Sequence, residues 1–182
     1  RAQPLARRDQ ATWSPDGRRL IYTQSLPGRG TALVVQTVAT GELNVRPVTL
    51  RNIFRPSWFP DGTAVALRGQ DAEGQMGIFR VDLGTGNVTP IVRPAQNFVA
   101  MTADGQSVLY ARAQGIWRRR IADGTEQEVL RSPNAGTMAV SPDGQSMARR
   151  SGESIVVLSL AGGGERVLVG QPRKPRLVGQ VE

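Results

Sequence analysis

Apolar positions along this chain come in short runs of Val, Ile, Leu and Ala, each closed within a few residues by Gly, Pro, Asp or Thr. No stretch of ten or more residues carries apolar side chains at helical spacing, so the runs predict β-strands joined by tight turns. They also fall in a fixed order. Ala11-Thr12-Trp13 is a short strand that enters Ser14-Pro15-Asp16-Gly17. Pro presets φ at the second turn position, Asp can hydrogen-bond its own backbone, and Gly accepts the positive φ that closes the hairpin. Arg19 to Thr23 then predicts a second strand, and a looser loop follows from Ser25 to Gly30. Ala32 to Val38 is the third strand, and Thr40-Gly41-Glu42 turns the chain into a fourth, Leu43 to Val48.

The same order recurs three times. Trp58-Phe59-Pro60-Asp61-Gly62 opens the second copy, followed by Ala64 to Leu67, Ile78 to Leu83, Thr85-Gly86-Asn87 and Val88 to Val92. Met101-Thr102-Ala103-Asp104-Gly105 opens the third, with Ser107 to Tyr110, Ile116 to Ile121, Asp123-Gly124-Thr125 and Glu128 to Leu130. Its turn lacks the Pro but keeps Asp-Gly, so a hairpin is still predicted. Val140-Ser141-Pro142-Asp143-Gly144 opens the fourth, with Ser146 to Ala148, Ile155 to Leu160, Gly163-Gly164-Glu165 and Arg166 to Val169. The turn aspartates are 45, 43 and 39 residues apart. A repeat of that length holds four short antiparallel strands, the size of one β-propeller blade. The predicted fold is therefore all-β, a β-propeller of four four-stranded antiparallel blades at 7–50, 51–93, 94–131 and 132–170. Gln3-Pro4-Leu5-Ala6 reads as the end of a preceding blade's outer strand, so 1–6 is set apart; 171–182 reads as a tail or closing strand.

The combination Trp13-Ser14-Pro15-Asp16-Gly17, Arg19-Leu20-Ile21-Tyr22 and the later Thr40-Gly41-Glu42 turn resembles the TolB-type WD-like β-propeller repeat, over residues 11 to about 170. Thr31 to Thr37 is similar to the third strand of such a blade. The resemblance implies a ring of six to eight blades, each first strand lining a central channel and each fourth strand on the outer rim. It also implies a periplasmic or otherwise extracytoplasmic protein that binds other proteins. Related blades occur in sensor regions of bacterial kinases and regulators, and in the gating propeller of prolyl oligopeptidases. Four blades lie at the lower limit for closure. The leading reading is the carboxy-terminal part of a larger propeller, ahead of a self-closed four-blade ring and of two copies pairing into eight.

Composition narrows the chemistry. The chain has no Cys, which removes disulfides and thiolate chemistry, and no His, which removes the commonest general base and transition-metal ligand. Ser14, Ser141 and Ser159 therefore have no imidazole partner, and no Gly-x-Ser-x-Gly elbow is present. The net charge is +8, but Lys174 is the only lysine and the arginines are spread through all four repeats. That spread describes a solvated basic surface better than a phosphate-binding face, so a nucleic-acid partner is not expected. No apolar run is long enough to insert in a membrane as a helix.

Asp16, Asp61, Asp104 and Asp143 together suggest a carboxylate ring for Ca²⁺. Each, however, sits in its own hairpin, where a turn role is the simpler account. Trp13, Trp58 and Trp117 are read as packing between blades. Thr40-Gly41, Thr85-Gly86 and Gly162-Gly163-Gly164 lack the helix that a phosphate loop requires and are read as turns. No catalytic residue, cofactor or metal ligand is assigned. Binding is expected at the end opposite the Asp-Gly turns, where loops on a rigid scaffold collect the charged residues. The candidates are Arg29, Asp71 and Glu73 in loops between second and third strands, and Arg51, Arg55 and Arg93 between blades. A protein or peptide is the expected partner. The alternative is the substrate-gating propeller portion of a prolyl oligopeptidase-type peptidase whose catalytic domain lies outside this chain. The remaining blades would come from further chain or from self-association.

Overall fold

The computed structural model describes residues 7–26, 30–95, 97–113, 115–131, 138–141, 143–160 and 164–169. The readings of 1–6, 171–182 and Arg29 lie outside these residues. The described residues form sixteen strands and no helix. The first sheet holds β1 (Arg7–Trp13), β2 (Arg19–Leu26), β3 (Gly30–Thr37) and β4 (Leu43–Arg46); the second holds β5 (Arg51–Trp58), β6 (Ala64–Gln70), β7 (Met76–Asp82) and β8 (Val88–Val92). The third holds β9 (Asn97–Met101), β10 (Ser107–Arg112), β11 (Gly115–Arg120) and β12 (Glu126–Arg131); the fourth holds β13 (Met138–Val140), β14 (Ser146–Ser151), β15 (Ser154–Ser159) and β16 (Glu165–Val169). Every pairing is antiparallel and sequential, which makes each sheet a four-stranded meander. Sheets one to three lie in one compact unit, Arg1–Ala135, and the fourth sheet in another, Gly136–Glu182.

The repeated turns do the work their residues predict. Ser14 N–H donates to the Arg19 carbonyl at 2.8 Å, and Gly17 N–H to the Ser14 carbonyl at 2.9 Å. Asp16 Oδ1 accepts from Ser14 Oγ and from the Arg18 amide at 3.0 Å. Thr102 takes the serine's place in the third turn, giving its hydroxyl to Asp104 at 2.6 Å, and Gly105 sits at φ 69°. A Cβ on Gly105 would also lie 2.5 Å from Pro60 Cδ, so the second and third turns meet only because no side chain intervenes.

Strands outrun their apolar cores. β2, β6 and β14 each continue three residues past the predicted end, because ladder hydrogen bonds do not require apolar side chains. β4 stops early, at Arg46, where Pro47 has no N–H to give. The main departure is β5. Arg51 and Arg55 were expected in a connection between blades but lie on the first strand of the second sheet. Two register shifts, with φ 48° at Asn52 and 51° at Arg55, replace period-two alternation over residues 51–56 with two exposed residues for each buried one.

Packing in the first unit is layered. One face of the second sheet (Trp58, Val65, Leu67, Phe79, Val81) packs on Ile21, Leu33 and Val35 of the first. Its other face (Ala64, Ala66, Ile78) packs on Phe98, Met101, Val108 and Tyr110 of the third. Buried on both sides, β6 and β7 read as nearly continuous apolar runs. Trp58 is 7% exposed, whereas Trp13 is 57% exposed and does not pack between sheets as expected. Trp13 pairs with Leu20, one residue out of phase with Ile21, so it stands on the flank of the first sheet away from the second.

Candidate functional site

Antiparallel order sends the β6–β7 loop and the β8–β9 connection to one end of the second sheet, opposite the Asp-Gly turns. There Arg93 Nη1 reaches Asp71 Oδ2 at 2.6 Å and Glu73 Oε2 at 3.4 Å. Three of the six predicted residues thus meet in one cluster. Asp71 is nearly buried and also closes its own loop: Oδ1 accepts from the Gln75 amide at 2.8 Å. Burial pushes its carboxyl up, but the Gln75 amide and the Arg93 guanidinium outweigh it and the net displacement is downward.

Arg51 is exposed at the start of β5, opposite Gln70. Arg55 has a different role. Its amide donates to Gln10 Oε1, and its Nη1 donates to the Phe98 carbonyl at 3.4 Å. Gln10, Arg55 and Phe98 each stand three residues before the residue that enters the Asp-Gly turn (Trp13, Trp58, Met101), and a bulge falls beside each. One repeat position therefore ties three successive first strands together, side chain to backbone. Gln10, at φ 61°, shares the left-handed backbone of Arg55.

Beside the Arg93 cluster a cleft of about 470 Å³ opens, lined by Gln75, Met76, Pro94, Ala95 and Arg112. Sequence reasoning passed over Arg112 and the group that holds it. Its guanidinium lies 4.2 Å from the Trp117 ring centre, and its Nη1 donates to Glu126 Oε2 at 2.8 Å. Glu126 Oε1 accepts from Tyr110 Oη at 2.6 Å and from Arg119 Nη1 at 2.9 Å. Burial pushes the Glu126 carboxyl up, but these three donors together bring it below its ordinary range. Burial and the same carboxylate push the Tyr110 phenol well up. Tyr110 and Glu126 sit on strands separated by β11, so no local spacing in the chain announced their contact.

At the other end a cleft of about 390 Å³ includes Phe59, Asp61, Arg80, Asp104 and Arg120 among its walls. Its carboxylates are committed: Asp61 accepts from the Thr63 amide at 2.9 Å and Asp104 from the Gln106 amide at 2.9 Å. Turn donors hold all four repeated aspartates below the usual range, led by the Ser14 hydroxyl, the Thr63 amide, the Thr102 hydroxyl and the Ser141 hydroxyl respectively. Among the described residues no group of three or more potential ligands is placed to hold a metal ion. No helix among them is long and apolar enough to cross a membrane.

Sequential four-stranded meanders with buried seams define a β-propeller segment. TolB from Acinetobacter baumannii is similar, with a TM-score of 0.71 at 21% identity, over 90% of this chain and 43% of that one. The β-propeller domain of the trilobed protease from Pyrococcus furiosus aligns with a TM-score of 0.60 at 15% identity, over 93% of this chain and 59% of that one. A puromycin hydrolase aligns with a TM-score of 0.65 at 20% identity, over 91% of this chain and 29% of that one. The chain thus spans less than two thirds of each, and the likeness establishes a TolB-like β-propeller fold. No family model and no curated protein matches the sequence.

Proposed function

We propose that this chain is a non-catalytic protein- or peptide-binding propeller segment, extracytoplasmic, whose partner docks on the loop end of the second and third sheets. The observation that carries the reading is the meeting of Asp71, Glu73 and Arg93 at the edge of the 470 Å³ cleft. A cleft of that size with few polar groups on a rigid sheet scaffold suits a short segment of a partner. Further blades come from additional chain or from self-association.

Peptides selected from a display library against the folded chain test this. Glu73→Arg and Arg51→Glu change exposed charges without breaking the Asp71–Arg93 pair. They should weaken the selected peptides by about tenfold while the circular dichroism spectrum is unchanged. Peptides that bind both variants as tightly as the parent refute docking at this end. The likeness to a puromycin hydrolase and to a protease propeller supports a second reading, a substrate-gating portion of a serine peptidase. A Gly-x-Ser-x-Gly domain found in the same reading frame as this chain would decide for it.

A further inference from the structure

We infer that the cleft between Gln75 and Arg112 is a receptor for the free carboxy terminus of a peptide whose last side chain is apolar. The inference rests on the loop-end reading above and names its ligand. Arg112 is fixed on one edge by Glu126 and on one face by Trp117, so its guanidinium plane is set before anything binds. Among the described residues its Nη1 meets Glu126, and its Nε and Nη2 donors meet no acceptor. Glu126 carries one negative charge for two guanidiniums, Arg112 and Arg119, which leaves the group short of one anion. A carboxylate matches the remaining fork of donors bidentately.

The walls select among carboxylates. Met76, Pro94 and Ala95 line the same cleft as Arg112 with apolar surface. In a terminal residue the side chain leaves the carbon next to the carboxylate, so a single residue can fill both halves of the cleft. An internal Asp or Glu has only methylenes beside its carboxylate and must bring the apolar group from a neighbouring residue. The Gln75 side chain, at the rim, is placed to take a backbone group of the penultimate residue. Asp71 and Glu73 share Arg93 at the edge, which leaves that cluster one negative charge in excess and confines the uncompensated positive charge to the Arg112 end, where the carboxylate must sit.

The probe is N-acetyl-alanyl-leucine, as free acid and as carboxy-terminal amide, titrated into the isotope-labelled full chain and followed by amide and Arg Nε shifts. The free acid should move Gln75, Ala95 and Arg112 together, and the amide should bind about tenfold more weakly, the loss of one charge-assisted contact. Gln75→Glu, an exposed change that leaves the Glu126 group intact, should cost about as much by offering Arg112 a competing carboxylate. Acid and amide of equal affinity, or shifts that avoid these residues, overturn the inference. Either result would leave the sensitivity of library peptides to Glu73→Arg as it stands, so the loop-end reading fails or survives separately.

Discussion

The two flanks of the second sheet come from the same strands yet hold their neighbours by different means. Toward the first sheet the contact is large against large: Trp58, Leu67 and Phe79 meet Ile21, Leu33 and Val35. Trp58 Nε1 donates to the Thr12 carbonyl at 3.3 Å, and Arg19 lies 4.8 Å from its ring while donating to the Gly62 carbonyl at 3.0 Å. Toward the third sheet, Ala64 and Ala66 make room for the rings of Phe98 and Tyr110. Small residues against rings bury the middle of that seam and let the Tyr110 hydroxyl reach Glu126 on β12. Both described clefts open at this seam, so one seam serves cohesion and the other leaves space for a ligand.

The sharpest break of this comparison is Trp58→Ala. Emptying a buried indole site should cost about 3–5 kcal/mol in urea unfolding, whereas Trp13→Ala, at the same repeat position but exposed, should change stability by about 0.5 kcal/mol or less. Equal costs would mean that the shared turn motif, not the neighbouring sheet, sets the tryptophan's contribution. Next in size is Glu126→Gln, which leaves three donors facing a neutral amide and should cost about 1–3 kcal/mol. Folding holds the Glu126 carboxyl below its ordinary value of 4.5. Its contribution is therefore complete above that pH and is lost as pH falls through the folded value. The variant should lose stability at neutral pH and show a flatter acid limb in urea midpoints. Smallest of the seam and cluster changes is Arg19→Gln, where losing both the ring contact and the hydrogen bond to the Gly62 carbonyl of a partly exposed cation should cost about 1 kcal/mol. A larger loss would show that the first seam depends on its charge more than on its apolar contacts.

Much of the architecture was legible because the turn residues impose their own geometry. Asp16-Gly17 and its three counterparts dictate hairpins whatever surrounds them, and the spacing between them leaves room for only short strands. β5 was not legible: Pro56 and two bulges erase its alternation, so Arg51 and Arg55 looked like connection residues. The exposure of Trp13 was hidden for a related reason, since a motif specifies a position in a blade and not what stands beside it. Asp71, Glu73 and Arg93 could be picked out as charged loop residues. Their pairing, and the assembly of Arg112 with Trp117 and Glu126, arises from cross-strand register that no local signal encodes.

The tie from Gln10 to Arg55 to the Phe98 carbonyl gives the row of repeats a reading direction. Each contact needs a particular side chain in one repeat and the backbone of the next, so the units are alike in outline but not exchangeable. A chain with its first two repeats transposed would retain all its hairpins and lose the stitching between its first strands.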